Sequence, residues 1–132
     1  MARIEGKIAL VTGATAGIGI AVALRLAEEG AYVFVSGRNK ESGNDVVAKI
    51  IEAKGQATFL PIDVAQEADW QTALKSIEEA HGRLDILVSN AGITMWQDIE
   101  HTALEDWRSI MAVNVDGVFL GTKHVIPLMR GS

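Results

Sequence analysis

Four short apolar runs, spaced about 25 residues apart, place the strongest constraint on how this 132-residue chain can fold. Their residues are apolar at successive positions, which is typical of strands buried on both faces of a parallel sheet. The stretches between them carry apolar residues at helical spacing, as at Trp70, Ala73, Leu74 and Ile77. Alternating strands and helices predict an α/β fold with a doubly wound parallel sheet. The predicted strands cover residues 8–11, 32–35, 58–62 and 86–88.

Composition narrows the class of protein further. A length of 132 residues with 48% hydrophobic content suits one compact domain over residues 1–132. The chain has no cysteine, which excludes disulfides and thiolate metal sites and permits the cytoplasmic setting that we expect. The start "MARIEGKIAL" lacks the long apolar stretch of a signal peptide, and no run approaches the roughly 20 apolar residues that span a bilayer, so we expect no membrane contact.

Charge and histidine spacing exclude two further kinds of site. A net charge of −5 disfavours nucleic-acid binding, which needs a basic face. The three histidines, His81, His101 and His124, lie far apart in sequence and lack the spacing of metal ligands. We therefore expect neither a nucleic-acid partner nor a metal.

The last part of the chain predicts one long helix from Thr102 to Pro127. Thr102 and Glu105 have the spacing of a capping box at its start. Its second half is apolar nearly all round, which predicts burial between layers or against another subunit. Gly117 and Gly121 lie four residues apart, so that side of the helix can pack closely. No strand is predicted after this helix.

The stretch "TGATAGIG", residues 12–19, joins the first predicted strand to the first helix. Such a loop lies at the carboxyl end of the sheet, where doubly wound proteins bind ligands, and a helix N-terminus favours phosphate. Gly13 would permit the tight turn, Gly17 the approach of backbone to a pyrophosphate, and Gly19 close packing of helix on strand. The alternative is a plain strand–helix turn with incidental glycines. The spacing matches neither G-x-G-x-x-G nor a P-loop.

Together with three later motifs, this loop resembles the cofactor motif of the short-chain dehydrogenase/reductase family. The motifs "DV" at 63–64, "NAG" at 90–92 and Asn114 in "VNVDG" fall in the family's order and spacing. The resemblance runs from about residue 5 to the end of the chain, and the chain looks like the first half of such a protein. It is closest to members that reduce ketones or oxidise secondary alcohols. The resemblance implies a Rossmann-like sheet with strand order 3-2-1-4, a nicotinamide dinucleotide, a small carbonyl or alcohol substrate, and a homo-oligomer.

The resemblance also assigns roles to individual residues. The Asp63 carboxylate would accept a hydrogen bond from the adenine amino group, the small residues at 90–92 would let backbone pass close to a ribose, and Asn114 would support a water in the proton relay of the catalytic lysine. Other interpretations stay open: Asp63 with Gln66 caps the next helix, residues 90–92 form an ordinary turn, and Asn114, as a buried amide, makes a structural bond or a kink. The candidate cofactor-binding residues are Gly13, Thr15, Gly17, Ile18, Gly19, Arg38, Asp63, Val64, Asn90, Ala91 and Gly92.

The end of the second predicted strand bears on the choice of cofactor. Dinucleotide folds that favour NAD carry an acid there, about 20 residues past the glycines, to hold the ribose 2′-hydroxyl. This chain has Gly37 at that position, followed by Arg38, which can grip a 2′-phosphate with two bonds. We therefore expect NADP(H), with NAD(H) possible; the alternative is a solvated arginine in a loop. Trp96 is a candidate for the substrate pocket.

The family's remaining catalytic residues have no counterpart in the sequence. The family orients and protonates a carbonyl with a serine and a Tyr-x-x-x-Lys pair. The only tyrosine here is Tyr32, in the predicted second strand, and Ser36 stands four residues later. Two functions therefore compete: the cofactor-binding half of an oxidoreductase, inactive by itself, and a non-catalytic nucleotide-binding or interaction module.

A sheet that stops at four strands also has a physical consequence. The fourth strand would be an apolar edge, which is a template for pairing with another chain. We expect the last helix to expose Val113, Val118, Phe119 or Val125. Exposed apolar patches drive association, so the isolated chain is predicted to self-associate.

Overall fold

A four-stranded parallel sheet forms the centre of the molecule, in a computed structural model that describes residues 2–93 and 97–131. The strand order is β3-β2-β1-β4, and each neighbouring pair is parallel. This confirms the predicted Rossmann-like topology, in which the switch point lies between β1 and β4. The strands are β1 (Ile8–Val11), β2 (Tyr32–Gly37), β3 (Gln56–Pro61) and β4 (Ile86–Val88).

Helices follow each strand, as a parallel sheet requires. Within the described residues no helix is both long and apolar enough to cross a membrane. The helical elements are α1 (Gly17–Glu28), α2 (Lys40–Glu52), α3 (Glu67–His81), a 3-10 turn (Ile99–His101), α4 (Leu104–Met111), a π-helical segment (Ala112–Asp116) and α5 (Gly117–Arg130).

The core has two layers, one on each face of the sheet. One face packs Leu10 and Phe34 against Trp70 and Ile77 of α3 and Val125 of α5. The other packs strand residues against α1 and α2, and its buried members include Val11, Val33, Val35, Ala23 and Ile50. Side chains are therefore buried on both sides of the strands, which is why their sequences are apolar at successive positions.

The predicted long helix is present, but its start and its middle differ from the prediction. Thr102 and Glu105 form no capping box: the Thr102 hydroxyl donates to the Asp98 carbonyl at 2.8 Å and α4 begins at Leu104. The hydroxyl thus closes the preceding 3-10 turn instead of capping the helix. α4 and α5 are joined by the π-helical segment, and α5 continues past Pro127 to Arg130.

Burial of the last helix matches the expectation in part. Val118 and Phe119 are 42% and 62% exposed, as expected. Val125 is 2% exposed, so its predicted exposure is wrong: it points toward the sheet and joins the core formed with α3. Val113 is half-buried against the same core. β4 is an edge of the sheet, as predicted.

Candidate functional site

A cavity of about 300 Å³ opens at the carboxyl end of the sheet. The loops after all four strands meet there, because the carboxyl ends of parallel strands lie at one edge. Its lining combines backbone of small residues, one cation, one carboxylate and an apolar wall. The lining residues are Gly13, Thr15, Ala16, Gly37, Arg38, Ile62, Asp63, Val64, Asn90, Ala91, Gly92, Ile93 and Val113.

Gly13 and Gly19 bring three segments of backbone together under this cavity. Gly13 has a φ of 62°, and a Cβ there would lie 2.8 Å from the Ala91 Cα. A Cβ on Gly19 would lie 2.1 Å from the Gly13 carbonyl oxygen and 2.6 Å from Asn90 Nδ2. The nearest neighbours of Gly19 are therefore the Gly13 carbonyl and Asn90, in the loops that follow β1 and β4.

Thr12 and Asn90 join the loop after β1 to the loop after β4. The Thr12 hydroxyl oxygen accepts the backbone N–H groups of Asn90 and Ala91 at 3.1 and 3.2 Å. The Asn90 side-chain amide donates to the Gly13 carbonyl at 3.1 Å. These bonds fix the two loops at the topological switch point relative to each other.

The N-terminus of α1 is open to an anion. Its N-cap residue, Ala16, has no side chain that could accept the free N–H groups, and the first turn holds no acidic residue. Gly17 has a φ of 51°, and apart from its chain neighbours and its own helix, no heavy atom of the described residues lies within 4 Å of the position that a Cβ would occupy there. Ile18 is 75% exposed beside it. Neither Gly17 nor Ile18 lines the cavity itself; both lie at its rim on α1.

Arg38 and Gly37 form the side of the cavity at the end of β2. A Cβ on Gly37 would lie 2.6 Å from Thr15 Cγ2, so the Thr15 side chain packs directly over the backbone at this position. Arg38 is exposed and forms no ion pair within residues 2–93 and 97–131. Its guanidinium is therefore available to an anionic group.

Asp63 and Val64 form the side of the cavity at the end of β3. The Asp63 carboxylate accepts the Ala65 N–H at 3.1 Å, so it closes a local turn. It does not cap the following helix, contrary to one interpretation of the sequence, because α3 begins four residues later with Gln66 as its N-cap. Asp63 therefore faces the cavity with lone pairs that can accept further hydrogen bonds.

Asn114 lies in the π-helical segment and is exposed, so the expectation of a buried amide is wrong. Its Oδ1 accepts the Ile93 N–H at 2.9 Å, and its Nδ2 donates to the Ile93 carbonyl at 2.8 Å. The amide thus pairs with backbone as a neighbouring strand would. It holds Ile93, which lines the cavity, and does not line the cavity itself.

Several cavity residues were not among the predicted site residues. The sequence indicates Ala16 only weakly, as part of the glycine-rich loop, and Ile62 only weakly, as the last residue of an apolar run. Nothing in the sequence indicates Ile93 and Val113, because they come together only when the last helix packs over the loop after β4. Trp96, predicted for the substrate pocket, lies outside the described residues.

This fold and cavity define a doubly wound α/β protein with a cavity at the switch point of its sheet. A family model described as short chain dehydrogenase matches residues 7–132. The chain is 41% identical over 128 residues to the NADP-dependent (R)-specific alcohol dehydrogenase of Lentilactobacillus kefiri, covering 97% of this chain and 50% of that protein. It is 43% identical over 130 residues to the cyclopentanol dehydrogenase of Comamonas testosteroni, covering 98% and 52%.

The similarity extends to the fold of solved structures. The fold superimposes with a TM-score of 0.87 on a gluconate 5-dehydrogenase from Burkholderia cenocepacia in complex with NADP and tartrate, at 35% identity. That match covers 95% of this chain and 49% of the other. The chain belongs to the short-chain dehydrogenase/reductase family of oxidoreductases. It spans about half the length of the curated relatives that it matches.

Proposed function

We propose that this chain is the dinucleotide-binding half of an NADP(H)-dependent oxidoreductase, which transfers hydride between nicotinamide and a ketone or secondary alcohol. The observation that carries this proposal is the cavity at the switch point, where the α1 N-terminus without a side-chain cap and Arg38, which has no ion pair among the described residues, flank a glycine-rich backbone. The nicotinamide supplies the hydride chemistry when it is bound. The residues of this chain bind and orient the cofactor.

The α1 N-terminus fits the pyrophosphate. Its free N–H groups and the helix dipole both favour negative charge, and no acidic side chain in the first turn opposes it. The open space at Gly17 lets phosphate oxygens approach the backbone. This combination supports a role for Gly13, Gly17, Ile18 and Gly19 in cofactor binding.

Arg38 favours a cofactor that carries a 2′-phosphate. An arginine can bind phosphate with two charge-assisted hydrogen bonds, whereas a carboxylate at this position would repel it. Thr15 lines the same part of the cavity. The relative from Lentilactobacillus kefiri is described as NADP-dependent, and the Burkholderia structure contains NADP. Both support NADP(H) over NAD(H) for this chain.

The proposed substrate class comes from the relatives, whose names include an alcohol dehydrogenase and a cyclopentanol dehydrogenase. The only tyrosine in the sequence, Tyr32, contacts Thr58 in the sheet and lies away from the cavity. We therefore expect the 132-residue chain to bind cofactor without turning over a ketone. The Asn114 amide would keep the loop after β4 in place for the reaction in a complete enzyme.

Replacing Arg38 tests the cofactor assignment. In calorimetric titrations, Arg38→Ala should weaken NADPH binding by about 10- to 150-fold, because a charge-assisted contact is lost, and should change NADH binding little. Lys49→Ala, which removes one positive charge from the last turn of α2, is the control for long-range electrostatics. Equal losses for NADPH and NADH in Arg38→Ala would show that Arg38 does not contact the 2′-phosphate.

Turnover assays separate the two classes of function. NADPH oxidation should be absent when this chain is incubated with a panel of ketones, and should appear when the same chain is extended with a segment that supplies serine and Tyr-x-x-x-Lys. Failure of NADPH and NADH to bind the chain at all would contradict the proposed function.

A further inference from the structure

Asp63 and Val64 line the cavity but lie after the end of β3, where pairing with β2 no longer fixes the backbone. β3 ends at Pro61, and the last backbone contact with β2 is the 3.4 Å bond from the Ile62 N–H to the Gly37 carbonyl. A segment without strand pairing needs other bonds to keep a fixed position. Besides the local bond from the Gln66 N–H to the Asp63 carbonyl at 2.9 Å, two side chains from the first turn of α3 provide them.

Asp69 and Trp70 each bond to the backbone of one of these cavity residues. Asp69 Oδ2 accepts the Asp63 N–H at 2.8 Å. The Trp70 indole Nε1–H donates to the Val64 carbonyl at 2.9 Å, and the tryptophan is 1% exposed. A hydrogen bond in such a buried place is costly to break, because the partner left behind loses its donor.

Two glycines of α5 hold the indole and Val64 from the other side. A Cβ on Gly121 would lie 2.7 Å from Trp70 Cη2, and a Cβ on Gly117 would lie 2.8 Å from Val64 Cγ2. The helix therefore packs directly on both residues. Trp70 thus packs between α5 and the loop, with its N–H directed at the Val64 carbonyl.

We propose that Trp70, together with Asp69, is a positioning residue for the adenine end of the cofactor site: it sets the backbone of Asp63 and Val64 so that the Asp63 carboxylate meets the adenine amino group. This inference rests on the proposed dinucleotide binding. Neither Trp70 nor Asp69 lines the cavity, so both act through the residues that they hold. The N–H donor of the tryptophan does the positioning, and its bulk serves the packing with Gly121.

Trp70→Phe separates these two roles, since phenylalanine keeps an aromatic ring but has no donor. The test is calorimetric titration with NADPH and with its hypoxanthine analogue, in which a carbonyl replaces the adenine amino group. The unmodified chain should prefer NADPH over the analogue by about tenfold, the lower end of what a hydrogen bond to a charged group contributes. In Trp70→Phe, NADPH should bind about fivefold more weakly and the preference should fall to about twofold.

A second variant and two controls complete the experiment. Asp69→Ala removes the other bond and should lower the same preference, which gives an independent test if Trp70→Phe does not fold. Trp107→Phe makes the same exchange at a tryptophan that is 49% exposed on α4, and Asp45→Ala removes an exposed carboxylate from α2. Both controls should keep the preference of the unmodified chain.

The outcomes distinguish this inference from the proposed function. If Trp70→Phe and Asp69→Ala weaken NADPH and its analogue equally, the two residues serve stability alone and the inference is wrong, while dinucleotide binding stands. If the unmodified chain binds neither nucleotide, both the proposed function and this inference are overturned. Selective loss of the adenine preference in either variant, with both controls unchanged, supports the inference.

Discussion

At the scale of one residue, Gly19 is a glycine inside α1 whose place is set by the loop before the helix. Alanine usually stabilises a helical position relative to glycine. At Gly19, however, a Cβ would lie 2.1 Å from the Gly13 carbonyl oxygen, which is backbone and cannot move without shifting the loop. We predict that Gly19→Ala lowers the free energy of unfolding by about 2–3 kcal/mol, the cost of overpacking a tight contact. Urea denaturation followed by circular dichroism measures this value.

Gly17→Ala is the matched comparison in the same loop. Its neighbourhood is open, so the only cost is the left-handed φ of 51°, which is about 1 kcal/mol for a residue with a side chain. If the two variants are destabilised equally, the contact of Gly19 with Gly13 does not limit the packing of α1. The same clash would displace the Gly13 carbonyl from Asn90 Nδ2, so stability and the shape of the cavity depend on one glycine.

At the scale of elements, α3 and α5 are joined by an ionic contact. Glu67 Oε2 lies 2.7 Å from His124 Nε2 and 3.0 Å from Lys123 Nζ. The hydrogen bond from His124, followed by that from Lys123, holds the pKa of the Glu67 carboxyl below its usual value of 4.5. A carboxyl with a lowered pKa in the folded state contributes stability above its usual pKa and loses it as the pH falls through the lowered value.

Glu67→Gln should therefore melt at a lower temperature than the unmodified chain at pH 6, and the difference should shrink as the pH is lowered to 3. Thermal unfolding across this range measures it. Glu52→Gln, an exposed position at the end of α2 with no ion pair in the described part of the chain, should show no such trend. A difference between Glu67→Gln and the unmodified chain that is independent of pH would contradict the ionic origin.

The elements also show what the sequence could and could not predict. The strands and their order followed from apolar runs, spacing and the family resemblance, because a buried parallel sheet leaves a strong pattern. The π-helical segment at Ala112–Asp116 left no such pattern, since it depends on a shift in backbone bonding and on the contact of Asn114 with Ile93. The predicted capping box does not form, because the Thr102 hydroxyl donates to the Asp98 backbone carbonyl.

The residues of the candidate site also divide into those that the sequence could predict and those that it could not. The residues that follow strands directly, such as Gly13, Arg38 and Asp63, could be predicted because the topology brings strand ends together. Val113 could not be predicted, since it reaches the cavity only because Gly117 lets α5 lie against Val64. The support given by Asp69 and Trp70 was equally hidden, because it consists of side chains bonding to backbone across a turn.

At the scale of the whole molecule, β4 and the last helix each leave apolar groups on the surface in the described part of the chain. β4 is an unpaired edge on one side, and the last helical segments expose Val115, Val118, Phe119 and Ile126 by 50%, 42%, 62% and 41%. An open apolar edge and exposed apolar side chains both favour association with another chain.

We therefore predict that the 132-residue chain forms a homo-oligomer through this surface. Size exclusion with light scattering at micromolar concentration should give species larger than the 14.1 kDa monomer. Phe119→Glu should shift the population toward monomer, because burying a carboxylate in an apolar contact is costly. Ile51→Glu changes a side chain that is similarly exposed, at 58%, on α2, and should leave the distribution unchanged. A sharp monomer peak for the unmodified chain, with cooperative unfolding, would mean that this surface is stable in water without a partner.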